Sequence, residues 1–283
     1  MRVPFKLPHV FAISIGVALP LSAQWLDVKT KHVPLTKEGK PNLTAPAPKL
    51  PGGKPNLSGV WNSVKAPCEE TFTGKAFGCI DSPDGIPIGF IDVTATSAEE
   101  VEKGAKDGLP YQPAAAAFIK QRTSGNDDTV HCLPMSPVRQ WPSFHPQKIV
   151  QTDEALIILD EYMAQYRQIF LDGRALPKDP FPYFKGYSVG HWDGDTLVVD
   201  TVGLKEGLWL DGKGDTVSEE ARLTERIRRQ NYGNLEVQIT VNDPKTYTRP
   251  WTVTRHMQIA LDTELIPYVC NENEKSSQHM VSK

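Results

Sequence analysis

Past residue 147 the apolar positions of this chain recur every second residue, in short runs broken by polar stretches. Successive side chains of a strand point to opposite faces, so this period of two predicts strands. Residues 148–151 and 156–159 flank Thr152-Asp153-Glu154-Ala155, which reads as a hairpin loop. A strand over 162–171 follows, closed by Asp172-Gly173. Residues 187–192 and 196–202 flank Asp193-Gly194-Asp195, the strongest short hairpin signal in the chain. Residues 222–229 and 235–241 flank Asn231-Tyr232-Gly233-Asn234, and 251–260 and 265–269 flank Leu261-Asp262-Thr263. With 59–64 this makes about ten strands, nearly all joined to sequence neighbours. No βαβ unit interrupts them. The expected fold is mainly β, an antiparallel up-and-down barrel or a strongly curved sheet. Closure removes exposed strand edges.

The first half has a different texture. Residues 24–58 carry Pro34, Pro41, Pro46, Pro48, Pro51 and Pro55 among few apolar residues, which predicts an extended arm. Within it GKPNL occurs twice, from Gly39 and from Gly53. After the second copy, Leu57 can pack and Gly59-Val60-Trp61 starts the barrel. The first copy leads only to Thr44-Ala45-Pro46-Ala47-Pro48, so it reads as a duplicated turn making a similar contact one step earlier on the outer surface. The barrel is expected over 59–270, with a loop-rich and helical insertion at 65–140 and a polar tail at 271–283. In that insertion Ser97-Ala98-Glu99-Glu100 is a capping box opening a helix to Lys106. Pro113 opens a second helix over 114–121.

The extreme N-terminus fits neither texture. A basic start with Arg2 and Lys6, an apolar run over 10–21 and small residues before Gln24 predict a secretory signal peptide over 1–23. The run is shorter than the ~20 residues of a membrane span. Without Arg2 and Lys6, the 31 basic side chains become 29 against 34 acidic ones. That balance gives no basic face for nucleic acid and no polybasic membrane patch. The expected location is periplasmic or secreted, with no membrane span. Four cysteines, Cys68, Cys79, Cys132 and Cys270, allow three connectivities. Cys68–Cys79 as a local clip and Cys132–Cys270 as a long tie are favoured. The spacings do not suit zinc, and no metal or cofactor is expected.

Alternation also marks polar groups on apolar faces. Arg255 shares a face with Trp251, Val253, Met257 and Ile259, and Glu225 shares one with Leu223, Ile227 and Arg229. Buried charges require partners, so these two are expected to form one ion pair, or to orient a ligand in the barrel mouth. Tyr166 and Arg167 lie mid-strand where neither face is clean, which suits a polar cavity. His191 and His145 are candidate site histidines. No HExxH or GxSxG motif occurs.

The stretches GKPNLSGVW, GYSVGHWDGDTLVVDTVG, LTERIRR, DPKTYTRPWTV and YVCNEN together resemble a family of exported bacterial proteins of unassigned function. The resemblance runs from Gln24 to about Glu274. Members often carry His-x-His-Ser-Glu where this chain has Gly214-Asp215-Thr216-Val217-Ser218-Glu219, so both histidines are missing here. Gly59-Val60-Trp61 is also similar to the Gly-x-Trp that opens lipocalin-like barrels. That resemblance implies that Trp61 packs against an arginine from a late strand, with Arg255 in that place.

The leading expectation is a protein that binds a small, partly apolar molecule in the barrel mouth. Tyr166, Trp192 and Trp251 would supply surface, and Arg167, His191 and Glu225 polarity. A hydrolase or lyase pairing His191 or His145 with Glu225 is the alternative. A third reading is an interaction protein that docks through its arm. The sequence leaves the oligomeric state open.

Overall fold

The computed structural model describes residues 28–64, 109–143, 145–211 and 214–270. The expected signal peptide, the helix predicted at 97–106, Cys68, Cys79 and the tail from 271 lie outside the described residues. Nine described strands close into one barrel in sequence order. They are β1 (Gly59–Ser63), β2 (Gln147–Gln151), β3 (Ala155–Asp160), β4 (Gln165–Phe170), β5 (Tyr187–Asp193), β6 (Thr196–Val202), β7 (Arg222–Arg229), β8 (Asn234–Asn242) and β9 (Trp251–Ile259). Among the described residues, two short helices, α1 (Pro113–Ile119) and α2 (Pro137–Gln140), lie between β1 and β2. Pro113 starts α1 as expected, whereas α2 has no forerunner in the sequence reading. Among the described residues, no helix is long and apolar enough to cross a membrane.

Alternation sets the interior. Every second residue of β8, from Leu235 to Val241, is buried, and the same holds for Leu223 to Arg229 of β7. The axis is filled by Trp61, Ile158, Leu197, Ile227, Val237 and Val253, all inaccessible to solvent. Gly59-Val60-Trp61 closes the ring, because β1 pairs with β2 on one side and β9 on the other.

The predicted strand at 265–269 does not form. β1 already occupies the free edge of β9, with Trp61 opposite Ile259. The chain instead crosses the β2–β3 end. Lys148 pairs with Glu264 at 2.6 Å, and the Glu161 carboxylate accepts from the Ile266 amide at 2.9 Å. The Cys132–Cys270 disulfide, one of the favoured pairings, fastens this crossing segment to the turn before α2. The strand expected over 162–171 is also shorter. An antiparallel β3–β4 hairpin needs a tight reversal, and Met163 and Ala164 supply it with φ of 59° and 48°.

One pairing departs from the expected up-and-down pattern. β4 and β5 run parallel, in register only at Ile169↔Ser188 and Phe170↔Val189. Parallel neighbours need a crossover of about a dozen residues. Residues 171–186 provide one, and Pro177, Pro180 and Pro182 keep it out of regular structure.

Both GKPNL copies fold into the same loop. Gly39 and Gly53 take φ of 76° and 79°, a left-handed backbone that favours glycine. Asn42 N donates to Pro34 O at 2.7 Å, and Asn56 N donates to Pro48 O at 2.8 Å. Each leucine then offers its carbonyl to the barrel. Leu43 O accepts from Gly233 N at 2.8 Å, and Leu57 O accepts from the Trp61 indole at 3.0 Å. Arg229, at the end of β7, joins the two docking points. It donates to Asn56 O at 2.6 Å and to Tyr232 O, and its guanidinium lies 4.9 Å over the Trp61 ring. The arginine stacked on Trp61 is therefore Arg229, where Arg255 was expected. Arg229 follows Glu225 and Ile227 on the inward face of β7 and stands nearest the arm; Arg255 lies mid-strand on β9, opposite Val237.

A methyl group at Gly233 would stand 2.6 Å from Leu43 Cβ and 2.9 Å from Leu43 O. Gly233→Ala is expected to unseat the first GKPNL loop at a cost of about 1–3 kcal/mol. Limited digestion with trypsin should then cut at Lys37, in the same loop, while the barrel stays folded.

Candidate functional site: a polar cleft at the β4–β5 seam

The barrel interior carries an ion pair at its centre. Arg167 projects from β4 and Glu225 from β7, with side chains 1% and 0% exposed. Arg167 Nη1 donates to Glu225 Oε1 at 2.9 Å, and Nη2 donates to Oε2. Nη2 also reaches Ser188 Oγ on β5 at 3.2 Å and Thr201 Oγ1 on β6 at 3.0 Å. The Trp141 indole, just past α2, donates to Glu225 Oε1 at 2.7 Å. Elements from β4 round to β7, together with the α2 segment, thus converge on one bidentate pair. The geometry gives both oxygens of a buried carboxylate charge-assisted hydrogen bonds.

A second, looser pair lies beside the first. Lys185 precedes β5 and Asp160 ends β3; both are buried. Lys185 Nζ stands 3.5 Å from Asp160 Oδ2, the long limit of a hydrogen bond. Gln140 of α2 donates to the same oxygen at 2.7 Å. Burial pushes the Asp160 carboxyl up to about 6, with Lys185 pulling it back. Burial brings the Lys185 ammonium down to about 8, with Asp160 opposing. Two groups with opposite preferences are thus drawn towards neutrality.

The seam opens this polar interior to the outside. Because β4 and β5 share only two register pairs, the first half of β4 faces no strand on that side. A cleft of about 480 Å³ occupies the gap. Gln165, Arg167, Lys185 and Ser188 line its inner part, and Tyr166, Phe170, Tyr183 and Tyr187 are among the residues of its rim. Gly186 makes the approach possible. Its φ is +61°, and a Cβ there would meet Val202 O at 2.7 Å. A larger residue would push Lys185 and the entry to β5 away from β6.

The structure gathers only some of the residues expected at a site. Tyr166 and Arg167 do line the cleft. Glu225 points inward as its alternation implied, but its partner is Arg167 rather than Arg255. Trp251 is core, packed edge-on against Tyr247. Trp192 is half-buried under Lys54, 5.8 Å from its ring. His191 is exposed on the outer face of β5, so it cannot reach the inward Glu225. His145 does have an acid, but it is Glu161, at 3.3 Å, within an aromatic cluster with Tyr162 and Tyr268. Among the described residues, no group of three or more His, Cys, Asp or Glu side chains could hold a metal.

Asp160, Lys185 and Trp141 were not anticipated. Asp160 had a signal, since it shares its face with Leu156 and Ile158. Lys185 had none, because it sits in a connection with no periodicity to place it.

Two results are expected. Arg167→Met leaves Glu225 charged and buried, and should cost about 3–5 kcal/mol; Arg167→Met with Glu225→Leu should recover most of that. Chemical denaturation of the single and double variants checks it. The second concerns pH. Between about pH 8 and the ordinary lysine value of 10.5, the unfolded chain holds a Lys185 proton that the folded chain has released. The unfolded state binds more protons there, so stability rises with pH in that window. Relative to Lys185→Met, the wild type should gain on the order of 1 kcal/mol from pH 7.5 to 9.5.

Neither protein-family models nor curated proteins match this chain.

Proposed function

We propose that the protein binds a small, partly apolar molecule, and that it does so in the β4–β5 cleft rather than along the barrel axis. One observation carries this. The axis is filled by side chains, whereas the wall opens at the seam onto buried polar groups beneath an aromatic rim. A concave site with mostly apolar walls and a few convergent polar groups is the usual form of a small-molecule site. Tyr166 and Tyr183 are 67% and 53% exposed, large aromatic surface open at the rim, with Tyr183 edge-on to Phe184. The Cys132–Cys270 disulfide supports an exported protein in an oxidising compartment.

A hydrolase or lyase in the same cleft is favoured by Lys185, which lines it, with Asp160 behind; the proton affinities of both are drawn towards neutral pH. The His–carboxylate pairs first considered do not line the cleft. Docking through the arm has less support, because both GKPNL loops offer their leucine carbonyls to this chain's own barrel.

The neutral fluorophore N-phenyl-1-naphthylamine should brighten on binding the wild type. Tyr166→Ala with Tyr183→Ala should weaken it about tenfold at unchanged melting temperature. No brightening, with no small molecule retained in native mass spectra of protein from its own source, rejects the proposal.

A further inference from the structure

The cleft offers hydrogen-bond donors that the protein leaves unused. Arg167 is 1% exposed, and its Nε has no partner among the described residues. Lys185 is 6% exposed, and the 3.5 Å contact to Asp160 is its one hydrogen bond among those residues, so two ammonium protons remain. Gln165 accepts from Met135 N through Oε1 at 3.1 Å, which fixes its amide, and its Nε2 has no partner. All three residues line the cleft. Buried acceptors are also left over, Asp160 Oδ1, Gln140 Oε1 and Gln147 Oε1, but none of these residues lines it. The unused donors thus belong to residues that line the cleft, just beneath its surface, and the spare acceptors to residues behind it. A buried donor without a partner carries a desolvation cost, which a ligand acceptor relieves.

Charge decides which acceptor. The two cations, Arg167 and Lys185, are matched by two carboxylates, Glu225 and Asp160. Lys205, the next cation along the chain after β5 and β6, pairs with Asp128 and sits over the Phe184 ring. Arg174, at the outer rim, is held by Asp172. An incoming carboxylate would add an uncompensated negative charge to a neutral, buried set, which is costly. A carbonyl oxygen accepts the same hydrogen bonds without that cost. Building on the proposal of small-molecule binding in this cleft, we infer that the ligand class is an aromatic molecule bearing neutral carbonyl oxygen. The carbonyl is held by Lys185, Arg167 and Gln165, and the ring lies against Tyr166, Phe170, Tyr183 and Tyr187.

Three probes of similar shape separate the possibilities by equilibrium dialysis at pH 7.5: 2-acetylnaphthalene, 2-ethylnaphthalene and 2-naphthoate. The ketone should bind about tenfold more tightly than the hydrocarbon and more tightly than the carboxylate. Lys185→Met and, separately, Gln165→Leu should each erode the preference for ketone over hydrocarbon while hydrocarbon binding persists. The comparison on wild-type protein stands even if a variant fails to fold. Equal binding of ketone and hydrocarbon overturns the carbonyl inference and leaves small-molecule binding intact. Tightest binding of the naphthoate also overturns it, in favour of an anionic ligand. Binding of none of the three removes both.

Discussion

A guanidinium and a carboxylate inside a barrel of aliphatic side chains persist only as partners. Arg167 and Glu225 meet this condition by bidentate contact, backed by Ser188, Thr201 and Trp141. Much of the architecture follows from that pair. It fixes β4 and β7 across the barrel, draws β5 and β6 in through their hydroxyls, and anchors the residue that follows α2. Removing either charge leaves the other buried, so the pair behaves as one unit. Replacing both with apolar groups is a different change, because no charge is then stranded.

The same pair accounts for the cleft. A parallel seam is poorly supported by hydrogen bonds along its length, and here only two positions are in register. The hydroxyls of Ser188 and Thr201 hold β5 and β6 to Arg167 where the β4–β5 ladder stops. The wall is thus closed by side chains where the backbone leaves it open. That exchange places polar atoms under an accessible surface, beneath a rim of partly exposed tyrosines. Lys185 and Asp160 sit beside that pair, held loosely enough to keep donors unused.

The arm does different work. Its two GKPNL loops are near copies in hydrogen bonding, yet they land on different parts of the barrel. The first meets the β7–β8 turn at Gly233. The second sits under Trp61, where the indole and Arg229 share its carbonyls. Gly59-Val60-Trp61 is therefore both the first strand and the anchor of what precedes it. The duplication marks the boundary of the barrel rather than a repeat domain, and tightens the closing strand from outside.

Strand positions were legible in the chain because a half-buried strand must alternate, and 222–229 and 235–241 alternate in burial. The inward direction of Glu225 followed from the same rule, while the long Cys132–Cys270 tie was favoured among the pairings an even cysteine count allows. Alternation says which way a side chain points, but not what it meets. Glu225 meets Arg167, 58 residues away, because closing the barrel puts β4 opposite β7. Trp61 takes Arg229 because the β7–β8 turn folds over the arm. The parallel β4–β5 seam was hidden because the proline-rich crossover has no periodicity, and direction of return is set by packing against the barrel. Sequence alone determined most of the strands, their faces and the place where the barrel begins. Only closure in three dimensions decided the ion-pair partners and opened a cleft, since both depend on contacts between segments far apart in the chain.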